Sequence, residues 1–211
     1  LEKLYSEALD HPDILGLVVG TRPDCVDEEK LHLLESLAQE YYVSVEYGGE
    51  SIYDRTLEWV NRGHTYQCFV DTVNATAGRN MDIGAHIILG FPTETKEEMI
   101  AMADALSSLP IDFIKIHNLH IVEQTALAHT FQNNPFPLLE LEEYVTLVTD
   151  FVERLSPAIC IQRLYGDAPK EMLIAPRWLT TGTHIAELVN AELIRRNSSQ
   201  GQKAIKEIPV F

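Results

Sequence analysis

IGAHIILGFPTETKEEMIAMADAL, residues 83–106, joins two kinds of pattern in 24 residues. Residues 83–89 form a short, nearly continuous apolar run, the signature of a buried strand. Gly90 and Pro92 then turn the chain. Thr95 followed three residues later by Glu98 makes a capping box. Met99, Met102, Ala103 and Leu106 follow on one helical face. A strand, a short turn and a capped amphipathic helix make one β/α unit, and the rest of the chain repeats the unit.

Apolar runs at residues 14–20, 42–46, 113–117 and 159–164 predict four further strands. Their starts lie about 30 to 45 residues apart, the length of a β/α unit. The runs are nearly continuous, which predicts parallel strands covered on both faces. Between them, Asp27 with Glu28 and Glu29 opens a helix whose stripe is Leu31, Leu34, Leu37 and Ala38. Tyr144, Val148, Phe151 and Leu155 mark another helix, stopped by Pro157. Ile185, Leu188, Val189 and Glu192 mark a last helix, and the polar end, residues 195–211, reads as frayed or strand-like at its last residues. The fold class is therefore α/β with a mostly parallel sheet, either doubly wound or a partial (β/α) barrel. Both place function at the C-terminal ends of the strands.

Apolar residues make up 45% of the 211 and charged residues 23%, as in an ordinary globular domain. No apolar run is long enough to span a bilayer, so no membrane partner is expected. The net charge of −16 repels phosphate backbones and argues against direct nucleic-acid binding. Cys25, Cys68 and Cys160 are odd in number and widely spaced, with no short-range metal or cluster pattern. They read as reduced thiols of a cytoplasmic protein.

The strand-end segments GTRPD (20–24), EYGGES (46–51), VNRGH (60–64) and HIILGFPTET (86–95), in this order, resemble the radical S-adenosylmethionine (SAM) superfamily. The resemblance lies in its Elp3-like and coproporphyrinogen-oxidase-like branches. AHIILG (85–90), KIHNLH (115–120) and RLYGDAP (163–169) are similar to segments of the YhcC-like bacterial group. The resemblance implies a partial (β/α) barrel lacking its first strands over residues 1–156, with the last barrel strand and a C-terminal extension over 157–211. It implies S-adenosylmethionine as cofactor, cleaved reductively to methionine and a 5′-deoxyadenosyl radical that abstracts a substrate hydrogen. It also implies an electron donor such as flavodoxin or ferredoxin. The CxxxCxxC loop that holds the family's [4Fe–4S] cluster is absent, so the chain reads as part of a longer protein whose cluster lies upstream. Its exposed first strand then invites an edge-strand homodimer. Two alternatives stay open: a non-catalytic relative such as a haem-trafficking protein, and a SAM-independent α/β domain that binds another nucleotide.

By this resemblance Arg62 pairs with the methionine carboxylate, a match for a planar guanidinium fork. Glu50 and Ser51 face the ribose and the methionine end, where relatives carry Gln rather than Glu50; Ser51 or Glu50 could equally cap the next helix. Glu46 points either into the barrel mouth or toward a helix. His86 is either a ribose contact or a satisfied core histidine. Gly90 permits close backbone approach, and His117 lies near the adenine with His120. No metal is expected, since these histidines have no carboxylate or cysteine partner in the pattern. Arg22 and Asp24 form a local ion pair or face substrate. Arg163 and Asp167 stand at the end of the last strand with no chemistry assigned.

Overall fold

The computed structural model describes residues 1–178 and 180–204. The frayed or strand-like end read at residues 205–211 lies outside them. Strands β1 (Gly16–Thr21), β2 (Tyr42–Glu50), β3 (Asp82–Leu89), β4 (Phe113–Asn118) and β6 (Cys160–Arg163) form one sheet in the order β1-β2-β3-β4-β6. Every pairing in it is parallel. Helices α2 (Glu28–Leu37), α4 (Tyr66–Thr76), α5 (Lys96–Ser107), α7 (Leu141–Arg154) and α8 (Gly182–Arg195) connect or follow the strands. The short β5 (Ile121–Val122) and β7 (Leu173–Ala175) pair antiparallel, apart from the main sheet.

All five helices bury their apolar stripes against one side of the sheet. Val43, Val45, Tyr47, Ile83, Ala85, Ile87, Leu89, Ile114 and Ile116 meet Leu34, Phe69, Val73, Met102, Leu106, Val148, Phe151 and Val189 in a single core. Each fully buried aliphatic or aromatic side chain there contributes about 1.5–3 kcal/mol. The alternate residues face the other way, and there the expectation of two covered faces fails. That side carries Glu46, His86, Lys115 and His117, and Val18 on β1 is 62% exposed. The physical reason is the period of two. Along that face polar or small residues (Ser44, Glu46, Gly48, Gly84, His86, Lys115, His117) interrupt the apolar runs, so the strands belong to a barrel arc with a partly polar inner face. A doubly wound sheet is excluded for the same reason.

The helix starts follow their caps. The Asp27 carboxylate accepts from the Lys30 N–H, Thr65 caps α4, and Thr95 and Glu98 complete their reciprocal box at α5. Helix α7 ends at Arg154, three residues before Pro157. On the inner face Gly84 makes room for Phe113, since a Cβ at Gly84 would lie 2.3 Å from the ring. Beyond the strand ends a smaller cluster of Phe91, Leu119, Ile121 and Ala128 closes one wall of the mouth.

Candidate functional site

The end of β2 is irregular. Its pairing with β3 slips between Gly48 and Glu50, and Glu50 takes a left-handed φ of 61°. For a residue with a Cβ this costs about 1 kcal/mol. The bulge turns the Glu50 side chain toward Arg62, which arrives from the turn after α3 (Asp54–Trp59). Arg62 Nη2 lies 3.0 Å from Glu50 Oε1 and donates to the Gly48 carbonyl at 3.0 Å. Gly48 permits this, because a Cβ there would sit 2.3 Å from Nη2. Burial raises the Glu50 pKa, against the opposing pull of Arg62.

Glu50 and Arg62 line a cavity of about 340 Å³ with His117, Asn118 and His120 from the end of β4. Val60, Ile88, Phe91, Leu119 and Leu127 supply its apolar walls. Several buried polar atoms here have no protein partner: Arg62 Nε, both amide atoms of Asn118, and His120 Nε2. Asn118 is only 4% exposed. Leaving a buried polar atom unpaired costs about 1–3 kcal/mol, so such a concentration marks a place built for a polar ligand.

One layer deeper, the ambiguity about Glu46 resolves in favour of the barrel interior. Glu46 accepts from His86 Nε2 at 2.6 Å and from Lys115 Nζ at 2.5 and 2.6 Å. Burial pushes its pKa up, but the hydrogen bonds from Lys115 and His86 outweigh this and hold the carboxyl below its usual range. Burial lowers the His86 pKa despite the carboxylate beside it. His86 is thus a neutral imidazole with Nε2–H on Glu46 and Nδ1 free to accept. Its ring stacks on that of His117 at 5.8 Å. Burial, reinforced by Arg163, pushes the His117 pKa down to about 4. Arg163 Nη1 reaches His117 Nε2 at 3.4 Å, so that nitrogen is the acceptor and Nδ1 carries the proton. Burial also lowers the His120 pKa, opposed by Asp167.

Of the residues read from the sequence, Glu50, Arg62 and His117 line one cavity, and Glu46 and His86 lie just below it. Ser51 is not among its lining residues: its buried hydroxyl donates to Glu94 Oε1 at 2.5 Å and accepts from the Tyr53 N–H at 3.0 Å. Neither Ser51 nor Glu50 is the N-cap of α3, which is Tyr53 without a side-chain cap. Gly90 has a φ of 103°, and its N–H points at Met99 Sδ, 3.2 Å away. A Cβ there would touch Leu139 and Leu119, so the close approach it permits is internal. Arg22 and Asp24 form a local ion pair. Lys115, Asn118 and Glu94 were missed. A lysine two residues before His117 in an apolar strand was the available signal for the first, since the period of two puts both on one face.

Among the described residues no group of three or more His, Cys, Asp or Glu side chains gathers as a metal site. Cys25 follows β1, Cys68 lies on α4 and Cys160 on β6, all three free. No described helix is long and apolar enough to cross a membrane.

Comparison with known proteins identifies the family. The model of the Radical SAM superfamily matches residues 1–106, and that of the Radical_SAM C-terminal domain matches residues 111–195. Uncharacterized protein MJ0486 of Methanocaldococcus jannaschii is 34% identical over 205 residues, 96% of this chain and 64% of its own length. Uncharacterized protein YtqA of Bacillus subtilis is 32% identical over 202 residues, 96% of this chain and 63% of its own length. Protein YhcC of Escherichia coli is 33% identical over 179 residues, 84% of this chain and 58% of its own length. The chain therefore spans less than two thirds of the length of these relatives. The solved Elp3 of Methanocaldococcus infernus, with an N-terminal deletion, superposes with a TM-score of 0.78 over 88% of this chain and 43% of its own, at 20% identity. That likeness is one of fold.

Proposed function

The chain belongs to the radical SAM superfamily, and from that premise we propose that the cavity bounded by Glu50, Arg62, His117 and Asn118 binds S-adenosylmethionine within a radical SAM enzyme. The observation that carries the reading is the set of buried, unpartnered polar atoms around an otherwise apolar cavity. A sulfonium nucleotide matches this set in kind. It has a carboxylate for the Arg62 guanidinium and ribose hydroxyls that can donate to Glu50. It also has a flat base whose edge alternates donors and acceptors, as the Asn118 amide does.

Glu50 already holds one side of Arg62 and so fixes its orientation before a ligand arrives. The apolar walls exclude water and strengthen each of these contacts. The cysteines of this chain do not suit an iron–sulfur cluster: they sit on three separate elements, and among the described residues no acid or histidine gathers with them. A cluster therefore belongs to residues outside this chain, and reduction of it to a separate one-electron donor. S-adenosylmethionine bound to such a reduced cluster supplies radical hydrogen abstraction.

Calorimetric titration of S-adenosylmethionine into the chain tests the site without requiring turnover. Arg62→Gln is expected to weaken binding about tenfold or more, the worth of a charge-assisted hydrogen bond. Asn118→Ala is expected to do the same. Affinity unchanged in both variants, or no binding by the wild-type chain, overturns the assignment.

A further inference from the structure

The inner face of the sheet carries a row of basic side chains that the nucleotide site does not use in full. Gly48, His86, Lys115 and Arg163 stand opposite one another across β2, β3, β4 and β6. Arg62 lies over the Gly48 end. The acids of the row cancel only part of its charge. Glu50 is matched by Arg62, and Glu46 by Lys115 with His86. Arg163 makes no ion pair with a carboxylate among the described residues, and its recorded side-chain contact is with an imidazole that accepts from it. In a chain of net charge −16 most arginines hold an acid; besides Arg163, Arg177 has no carboxylate partner among the described residues, and it donates to the Leu173 and Ile174 carbonyls instead. Arg22, Arg55, Arg79, Arg154, Arg195 and Arg196 all pair with Asp or Glu.

The surroundings of Arg163 explain why it is held there. His117, stacked on His86, receives its Nη1 and sets the direction of the fork. Gly166 lets the following loop pass close to His117, since a Cβ there would come within 2.3 Å of Nδ1. Arg163 is exposed, and its other guanidinium N–H groups have no recorded partner among the described residues.

We propose that the substrate of this enzyme carries an oxyanion, a carboxylate or a phosphoryl group, which docks on Arg163 with Lys115 behind it. The substrate would lie along the inner face below the nucleotide, anchored at the β6 end and presented to the cavity mouth beside His117. This placement rests on the nucleotide reading above, whereas the anion site itself does not. A planar fork with free donors suits both oxyanions, while Lys115 is already held by Glu46 and leaves the charge of Arg163 to the ligand.

Inorganic phosphate and acetate, titrated separately into the labelled chain at constant ionic strength, test the site directly. The readouts are the Arg163 Nε–H resonance and the His117 ring resonances. Saturable movement of both signals is expected with at least one of the anions. Arg163→Gln is expected to weaken that binding at least tenfold, and Arg163→Lys to give an intermediate affinity. Tighter phosphate assigns a phosphoester substrate, and tighter acetate a carboxylate; either order supports the proposal. Shifts that only track salt, or equal affinity in wild type and Arg163→Gln, overturn it. Arg195→Gln, whose side chain pairs with Glu192 far along α8, controls for general loss of positive charge and should leave the titration unchanged. Arg62→Gln separates the two readings: if it abolishes nucleotide binding while phosphate still fails to bind Arg163, the anion site alone is lost.

Discussion

At the scale of single residues, the site depends on what is missing as much as on what is present. Gly48 carries no side chain because Arg62 fills its space. Gly48→Ala would press a methyl group against the guanidinium and turn it from Glu50. Nucleotide affinity should fall severalfold, whereas Gly20→Ala, where a Cβ meets nothing within 4 Å, should change nothing; calorimetry of the two variants checks this. His117 gives a pH signature. Its pKa of about 4 in the folded chain lies below the ordinary value of 6.5, so the unfolded state takes up protons first as pH falls. Its contribution to stability is therefore complete above pH 6.5 and lost as pH falls through the interval toward 4. The loss reaches up to about 2 kcal/mol by pH 5. Urea unfolding at pH 7.5 and 5 should show that drop diminished in His117→Asn relative to wild type. Glu50, Arg62 and His117 were legible because motif and strand-end position coincided. Lys115 carried only the weak signal of sharing a face with His117, and Asn118 carried none, since nothing local distinguishes an unpartnered amide from an ordinary polar residue at a strand end. Only the sheet register and the burial around them reveal the difference. Ser51 shows the converse: its place in the EYGGES segment suggested a ligand, but a buried carboxylate 43 residues away claimed its hydroxyl.

At the scale of elements, helices were readable where a cap was joined by an apolar stripe of good helix formers, and the lone Thr65 cap of α4 was not enough. Asp27 and the Thr95–Glu98 box set the starts of α2 and α5 through short-range hydrogen bonds that sequence fixes directly. Helix α4, YQCFVDTVNAT, is rich in β-branched and aromatic residues of poor helix propensity, and packing of Phe69 and Val73 into the core decides it. The β5–β7 pair joins segments about fifty residues apart through two or three residues each, so only tertiary contact specifies it. The double arginine at residues 195–196 is tied down by acids of its own helix and of α7. Arg196 reaches Asp150 at 2.5 Å, Glu153 at 2.9 Å and Glu192 at 2.8 Å, and Lys203 reaches Glu153 at 2.5 Å. Glu153 is fully buried on α7, and the two cations hold its pKa below the usual range against burial. Without Glu153, Arg196 keeps Asp150 and Glu192 and Lys203 keeps its contact with water, so Glu153→Ala should destabilise the chain by about 1–3 kcal/mol in chemical denaturation, the cost of hydrogen bonds lost to a buried charge. Glu192→Ala, which removes a more exposed member of the same network, should cost less than about 1 kcal/mol.

At the scale of the whole molecule, the open side of the sheet sets both the site and a liability. The inner face of the five strands brings together Arg62 with Glu50, Lys115 with Glu46, and Arg163, which has no acid recorded beside it. At the far edge β1 pairs only with β2 among the described residues. Its outer backbone groups are unpaired, and Leu15 and Val18 beside them are 84% and 62% exposed. An apolar, unpaired edge favours strand addition. We expect the isolated chain to self-associate through this edge as a homodimer. Two bodies of charge −16 repel, so association should strengthen as salt shortens the Debye length toward about 8 Å at physiological ionic strength. Light scattering across micromolar to millimolar protein, at low and moderate salt, reads both effects. Val18→Lys places a charge on the edge without touching the helix-packed core, and it should return the chain to monomer at all concentrations. A wild-type chain that stays monomeric throughout, or a Val18→Lys chain that associates as readily as wild type, would mean that the edge is blocked by other means and that β1 is not the contact.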